Sequence, residues 1–187
     1  MKWLTLIMPV LLLQGCSHTV EKTLPRASNV DLNRFMGDWY VIANIPTFIE
    51  KGAHNAIESY AFNDDGTINT TFKFNQDSPE GELKQYKPTG YVSDNSNSEW
   101  GMQFIWPFKA EYIIAYLSED YEHTIIARSA RDYLWVMSRS PIIDEQVYES
   151  LIKRSVDMGY SRELIQKVPQ QPASLKHKDA IIMETIQ

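Results

Sequence analysis

Strict two-residue alternation, repeated in short runs with turn residues between them, limits this chain to a fold built from β-strands. Ile68, Thr70, Phe72 and Phe74 fall on one side of such a run, and Asn69, Thr71, Lys73 and Asn75 on the other. Trp100, Met102, Phe104 and Trp106 alternate in the same way with Gly101, Gln103 and Ile105. Successive side chains of a strand point to opposite faces, so this period leaves one face dry. The spacing predicts strands near 38–45, 54–63, 67–75, 82–92, 98–106, 110–117, 123–128 and 133–139. Asn63-Asp64-Asp65-Gly66 supplies a hairpin turn, because Asp-Gly tolerates positive φ, and the polar stretch 93–98 links two further strands. Eight consecutive antiparallel strands with short links predict an all-β, up-and-down barrel. A sandwich shows the same alternation, so period alone does not choose between them. An eight-stranded barrel is just wide enough for one small ligand.

The period changes from 144 to about 158. Val147, Leu151 and either Ile152 or Ser155 share one helical stripe, with Glu145, Glu149, Lys153 and Arg154 mostly elsewhere. Asp144 suits an N-cap and Gly159 the residue after the C-cap, while Ser140-Pro141 separates this helix from the last strand. One amphipathic C-terminal α-helix should therefore pack outside the barrel. Residues 163–168 suggest a further short strand, and Pro169 and Pro172 end the ordered part.

The first residues predict export. Lys2 is the only charge before a short apolar run over 4–13, too short for the roughly 20 residues that span a bilayer. Leu13-Gln14-Gly15-Cys16 resembles the lipobox of bacterial lipoproteins, which implies cleavage before Cys16 and acylation of its thiol and new amine. Ser17 stands where an aspartate would resemble an inner-membrane retention signal, so the outer membrane is implied. Cleavage removes 15 residues, including Lys2, and leaves 172 residues with formal charge −7 in place of −6. The expected organisation is a signal peptide over 1–15, a lipid anchor and tether over 16–33, one domain over 34–170 and a C-terminal tail over 171–187, read as disordered. The acidic balance argues against nucleic-acid binding. Cys16 is the sole cysteine, so packing alone must hold the domain.

Gly37-Asp38-Trp39-Tyr40 heads the first strand, Asp120-Tyr121 lies in the link from sixth to seventh strand, and Arg139 ends the eighth. In an up-and-down barrel these three places meet at one end. Trp39 can plug that floor with the Arg139 guanidinium across its ring. The set resembles the three signature motifs of the lipocalin family, and 132–141 is similar in particular to the bacterial outer-membrane lipoprotein lipocalins. The second motif lacks the common threonine, having Glu119 before Asp120, and the tail has no counterpart in the family pattern. The resemblance implies a carrier of small hydrophobic molecules, in the bacterial branch a fatty acid or lysophospholipid, with a role in envelope maintenance. It also implies an outer-membrane location facing the periplasm.

Gly37, Trp39, Asp120, Tyr121 and Arg139 are expected to be structural. In a solid core the aromatic stripes would only fill volume; in a lipocalin-like barrel Phe72, Phe74, Phe104, Tyr112 and Trp135 are expected to line a pocket. The open-end loops would be 46–53, 76–81, 107–109 and 129–132, and Phe48, Ile49, Trp106 and Phe108 would form an apolar lip. No catalysis is expected. The chain has no G-x-S-x-G elbow, no phosphate-cradling glycine loop, no pocket thiol and no H-x-x-x-H pair among His18, His54, His123 and His177. Glu58 and Glu111 fall within strand runs, but nothing pairs them as acid and base. No metal or cofactor is expected. The alternative reading is an assembly lipoprotein whose barrel is filled by its own side chains and whose lip binds another envelope protein. Oligomeric state is not legible in the residues, and a homodimer through the mouth stays open.

Overall fold

The computed structural model describes residues 23–171; the signal peptide, Cys16 and the tail from 172 lie outside the described residues. A four-residue helix, α1 (Leu32–Phe35), leads into β1 (Gly37–Ile45), β2 (Ala53–Phe62), β3 (Ile68–Gln76), β4 (Leu83–Tyr86), β5 (Thr89–Val92), β6 (Glu99–Ile105), β7 (Phe108–Leu117), β8 (His123–Ala127) and β9 (Leu134–Ser138). The long helix α2 (Glu145–Asp157) and a two-residue strand, β10 (Gln166–Lys167), follow. All pairings are antiparallel, and β9 returns to β1 with Tyr40 opposite Ser138 and Ile45 opposite Leu134. The sheet closes into a barrel of eight staves, because β4 and β5 together make one: both pair with β3. That stave, expected as a single strand over 82–92, breaks at Lys87-Pro88, since proline has no N–H to give the ladder. Its carbonyl still accepts from Thr70 N at 3.2 Å.

The two sides of the barrel differ, and the difference explains their sequences. Strand β3 is buried at Ile68, Thr70, Phe72 and Phe74 and more open at the residues between, because its outer face meets water. Strands β8 and β9 are buried almost throughout, since α2 covers them outside. A strand dry on both faces reads as a continuous apolar run such as Ile125-Ile126-Ala127. Ile114 and Ile126 face the barrel interior, whereas Ile113, Ile125 and Val136 pack with Leu151 and Ile152 of α2.

Helix α2 has the expected limits. Asp144 Oδ1 accepts from Gln146 N at 2.7 Å, and Gly159 takes φ +97°. Gly159 N donates to Val156 O and Tyr160 N to Ser155 O, the paired bonds of a Schellman stop. Its buried stripe is Tyr148, Leu151, Ile152 and Ser155, so Tyr148 takes the place expected for Val147, which is only partly covered. Beyond a 3-10 turn (Arg162–Leu164), residues 166–170 strap the barrel where β1 and β2 diverge. Val168 N donates to Ile42 O, and Gln170 Nε2 bridges Val41 O and Ala56 O.

The segment before β1 is seated on the barrel well ahead of residue 34. Ala27 N donates to Ile114 O at 2.8 Å, Val30 N to Ser96 O at 2.9 Å, and Val30 is buried. These bonds satisfy carbonyls of the β5–β6 loop and of β7, which a free tether would leave to solvent.

Candidate functional site

One end of the barrel is sealed. Phe35, fully buried at the end of α1, lies 5.1 Å from the Trp39 ring, 5.5 Å from Tyr60 and 5.6 Å from Trp100. Trp39 Nε1 donates to Phe35 O at 2.8 Å, which satisfies the one polar atom of the indole. The Arg139 guanidinium sits 3.8 Å from the Trp39 ring centroid. It donates to four backbone carbonyls: Nη1 to Asp38 at 2.8 Å, and Nη2 to Arg34 at 2.7 Å and to Phe35 and Met36 at 3.0 Å. Three of these carbonyls belong to the end of α1, where helix C=O groups lack partners of their own. Gly37 takes φ +94° in this corner. Tyr121, also at positive φ, accepts from Asp31 N at 2.8 Å, and Arg34 stacks on its ring at 3.9 Å. Asp120 accepts from Ser118 Oγ and Glu122 N, which tightens the turn. None of the five signature residues is among those that line the cavity.

Above the floor is a cavity of about 490 Å³, within the range of small-molecule pockets. Phe72, Met102, Tyr112, Trp135, Phe104 and Phe48 are among the apolar residues that line it. Of the expected pocket residues, Phe72, Phe104, Tyr112 and Trp135 line it. Phe74 does not: it is fully buried beside the wall, 5.3 Å from Phe72 and stacked 6.3 Å from Tyr86, so it supports the wall. Phe104 stands at the mouth, half exposed, because the β6–β7 hairpin rises beyond the sheet. The same end exposes Phe48, Ile105, Trp106, Phe108 and Leu83.

Polar groups in this wall are few. Glu50, from the loop after β1, accepts from Thr47 N at 2.9 Å and Trp135 Nε1 at 3.1 Å. Burial raises its pKa, and those donors oppose the rise. Glu58 of β2 is buried as well, and desolvation pushes its carboxyl up to about 8, opposed by the Tyr60 hydroxyl and reinforced by the charge of Glu50. The Tyr60 and Tyr112 hydroxyls bond each other beneath it, and burial raises the pKa of both. Arg128, at the open end of β8, borders the cavity with Lys87 and pairs with Asp132 at 3.0 Å. Glu58, read in the sequence only as a strand carboxylate with no acid–base partner, was not among the expected pocket residues, yet it lines the cavity. The signal was parity, for Ala56, Glu58 and Tyr60 share one side of β2, and a carboxylate on a dry face is the informative exception. Among the described residues, no cluster of three or more His, Cys, Asp and Glu is arranged to hold a metal ion.

A lipocalin-like domain model matches residues 30–170. The chain belongs to the lipocalin-like family. This lipocalin is 29% identical to the outer membrane lipoprotein Blc of Escherichia coli (strain K12), over 80% of its own length and 85% of that protein. It is 27% identical to the Blc of Vibrio cholerae over 91% and 100%, and 28% identical to temperature-induced lipocalin-1 of Arabidopsis thaliana over 81% and 86%. Its barrel superposes on insecticyanin from the tobacco hornworm Manduca sexta with a TM-score of 0.63 at 13% identity, covering 81% of this chain and 86% of that one.

Proposed function

We propose that this lipocalin binds an amphiphile with one long apolar chain, a fatty acid or lysophospholipid, while anchored to the periplasmic face of the outer membrane through acylated Cys16. The observation that carries the reading is the cavity: an apolar cup closed at the floor and open at the other end, bordered there by Arg128. An acyl chain would fill the cup, and an anionic head group would stay by Arg128 and Lys87. Burying ~10 methylenes gains roughly 8 kcal/mol gross. Association and ordering costs leave an affinity on the order of micromolar. The names of the Blc relatives and the residues 13–16 support the anchored location. Binding is passive in this reading, with no covalent step and a role in envelope maintenance.

Native mass spectrometry of the chain with Cys16→Ser, followed by lipid extraction, tests the proposal. A stoichiometric fatty acid or lysophospholipid is the expected result. A ligand-free mass that also resists loading with oleate and lysophospholipid overturns it.

The exposed lip favours loading from a membrane. Trp106 and Phe108 are 82% and 76% exposed, and both bury ring area on meeting an acyl surface. The double substitution Trp106→Ser with Phe108→Ser is expected to weaken binding to anionic vesicles about tenfold or more. Its melting temperature should stay within error of the parent, because neither ring packs in the core. If vesicle binding is unchanged, the lip takes no part in docking, and a homodimer through the mouth becomes the use to test.

A further inference from the structure

Three carboxyl residues line the cavity, and their partners differ in kind. Glu111 accepts from Ser129 N at 2.7 Å and from Ser129 Oγ at 2.8 Å. Glu50 has two N–H donors. Glu58 has none; among the described residues only the Tyr60 hydroxyl acts favourably on it, and Glu50 opposes its charge. Its cross-strand neighbours are Trp39 of β1 and Phe72 of β3, both aromatic and buried. Tyr60 and Tyr112 already bond each other, and among the described residues no cation is paired with Glu58. A carboxyl so placed keeps its proton at neutral pH, and then offers one donor and free acceptor capacity to whatever occupies the cavity. An unsubstituted hydrocarbon chain passing it would leave unused the capacity that the Tyr60 hydroxyl does not take, at the usual cost of an unpaired buried polar group.

We propose that Glu58 is a specificity-determining residue that hydrogen-bonds a neutral oxygen group, a hydroxyl or carbonyl, carried part-way along the ligand's apolar chain. The inference rests on the reading of the cavity as a site for a long-chain amphiphile and adds which chains it prefers. Fit depends on the position of the oxygen, because β2 holds the carboxyl at one depth and Phe72 and Met102 make the wall beside it apolar. A ligand ammonium group is the poorer match. It would require Glu58 to ionise among rings, without an N–H to steady the carboxylate, which is the costly arrangement for a buried charge.

The test is displacement of a fluorescent fatty-acid probe from the full chain carrying Cys16→Ser. The competitors are stearic acid, monohydroxystearic acids differing in hydroxyl position, and octadecylamine. One or two neighbouring positional isomers are expected to compete about tenfold or more better than stearic acid. Glu58→Met, close in shape but apolar, should erase that preference while retaining stearic acid, and Glu58→Gln should keep part of it. Equal competition by every isomer overturns the inference, as does a preference unchanged in Glu58→Met, or octadecylamine outcompeting the whole series. Failure of stearic acid and all hydroxystearic acids to displace the probe overturns the long-chain reading itself. Should Glu58→Met fail to fold, the wild-type positional series and Glu58→Gln still decide the matter.

Discussion

Glu58→Gln is expected to raise the melting temperature at pH 8 by about 10–20 °C and to remove most of the fall in stability between pH 5 and pH 8. In the unfolded chain the carboxyl ionises at its ordinary value of 4.5; in the folded protein burial holds its proton up to about pH 8. Between those values the native state binds more protons than the unfolded state, so stability falls as pH rises through the window. At 1.36 kcal/mol for each tenfold step in proton activity, the loss approaches roughly 5 kcal/mol at the alkaline end. An amide does not titrate, can bond the same Tyr60 hydroxyl, and escapes the repulsion from Glu50. One kcal/mol moves the midpoint of a domain of this size by about 2–4 °C. Glu50 contributes in the same direction, so part of the slope should persist in the variant. Thermal melts of both proteins at pH 5, 6, 7 and 8 check this. Parallel curves for the two proteins would mean that Glu58 is ionised in the folded state.

Arg139→Ala should cost about 3–5 kcal/mol of stability and leave ligand affinity within twofold. The guanidinium gives hydrogen bonds to four carbonyls and stacks on Trp39, and its removal strands the end of α1. Bonds from a charged donor contribute about 1.5–3 kcal/mol apiece when counted singly, but four on one group do not add. The side chain is half-buried, so the surviving carbonyls gain some water in its place. Arg139→Lys keeps a cation over the indole without the planar fork and should fall between the two. Urea unfolding gives the stabilities, and probe displacement gives the affinities. An alanine variant that unfolds like the parent but no longer binds would move Arg139 from the floor to the ligand site.

The hydrogen bonds at Arg139 also show which parts of the site were legible. Gly37, Trp39, Asp120, Tyr121 and Arg139 were found by spacing and resemblance, and their meeting at one end followed from counting strand directions. Phe35, which completes the plug, carries no motif, and its segment had no period to mark it. Strand parity placed Phe72 and Phe74 on the same face, yet only Phe72 lines the cavity. Parity gives the face of a residue; the packing of Tyr86 and the loops above decides whether that face is hollow at its level.

What the chain alone determined was local. Eight strands, the 63–66 hairpin turn and the helix between Asp144 and Gly159 follow from side-chain period, turn chemistry and cap residues within a few positions of one another, whereas the fold family came from the resemblance of three motifs far apart in the chain. Only the tertiary structure decided what depends on distant neighbours. It split the apolar runs of β7 and β8 into a cavity-facing and a helix-facing set, because closure onto β1 and coverage by α2 are non-local events. It also gave Glu58 its character. A carboxyl's charge state depends on the water and donors around it, and Trp39 and Phe72 come beside Glu58 only through the pairing of β1, β2 and β3.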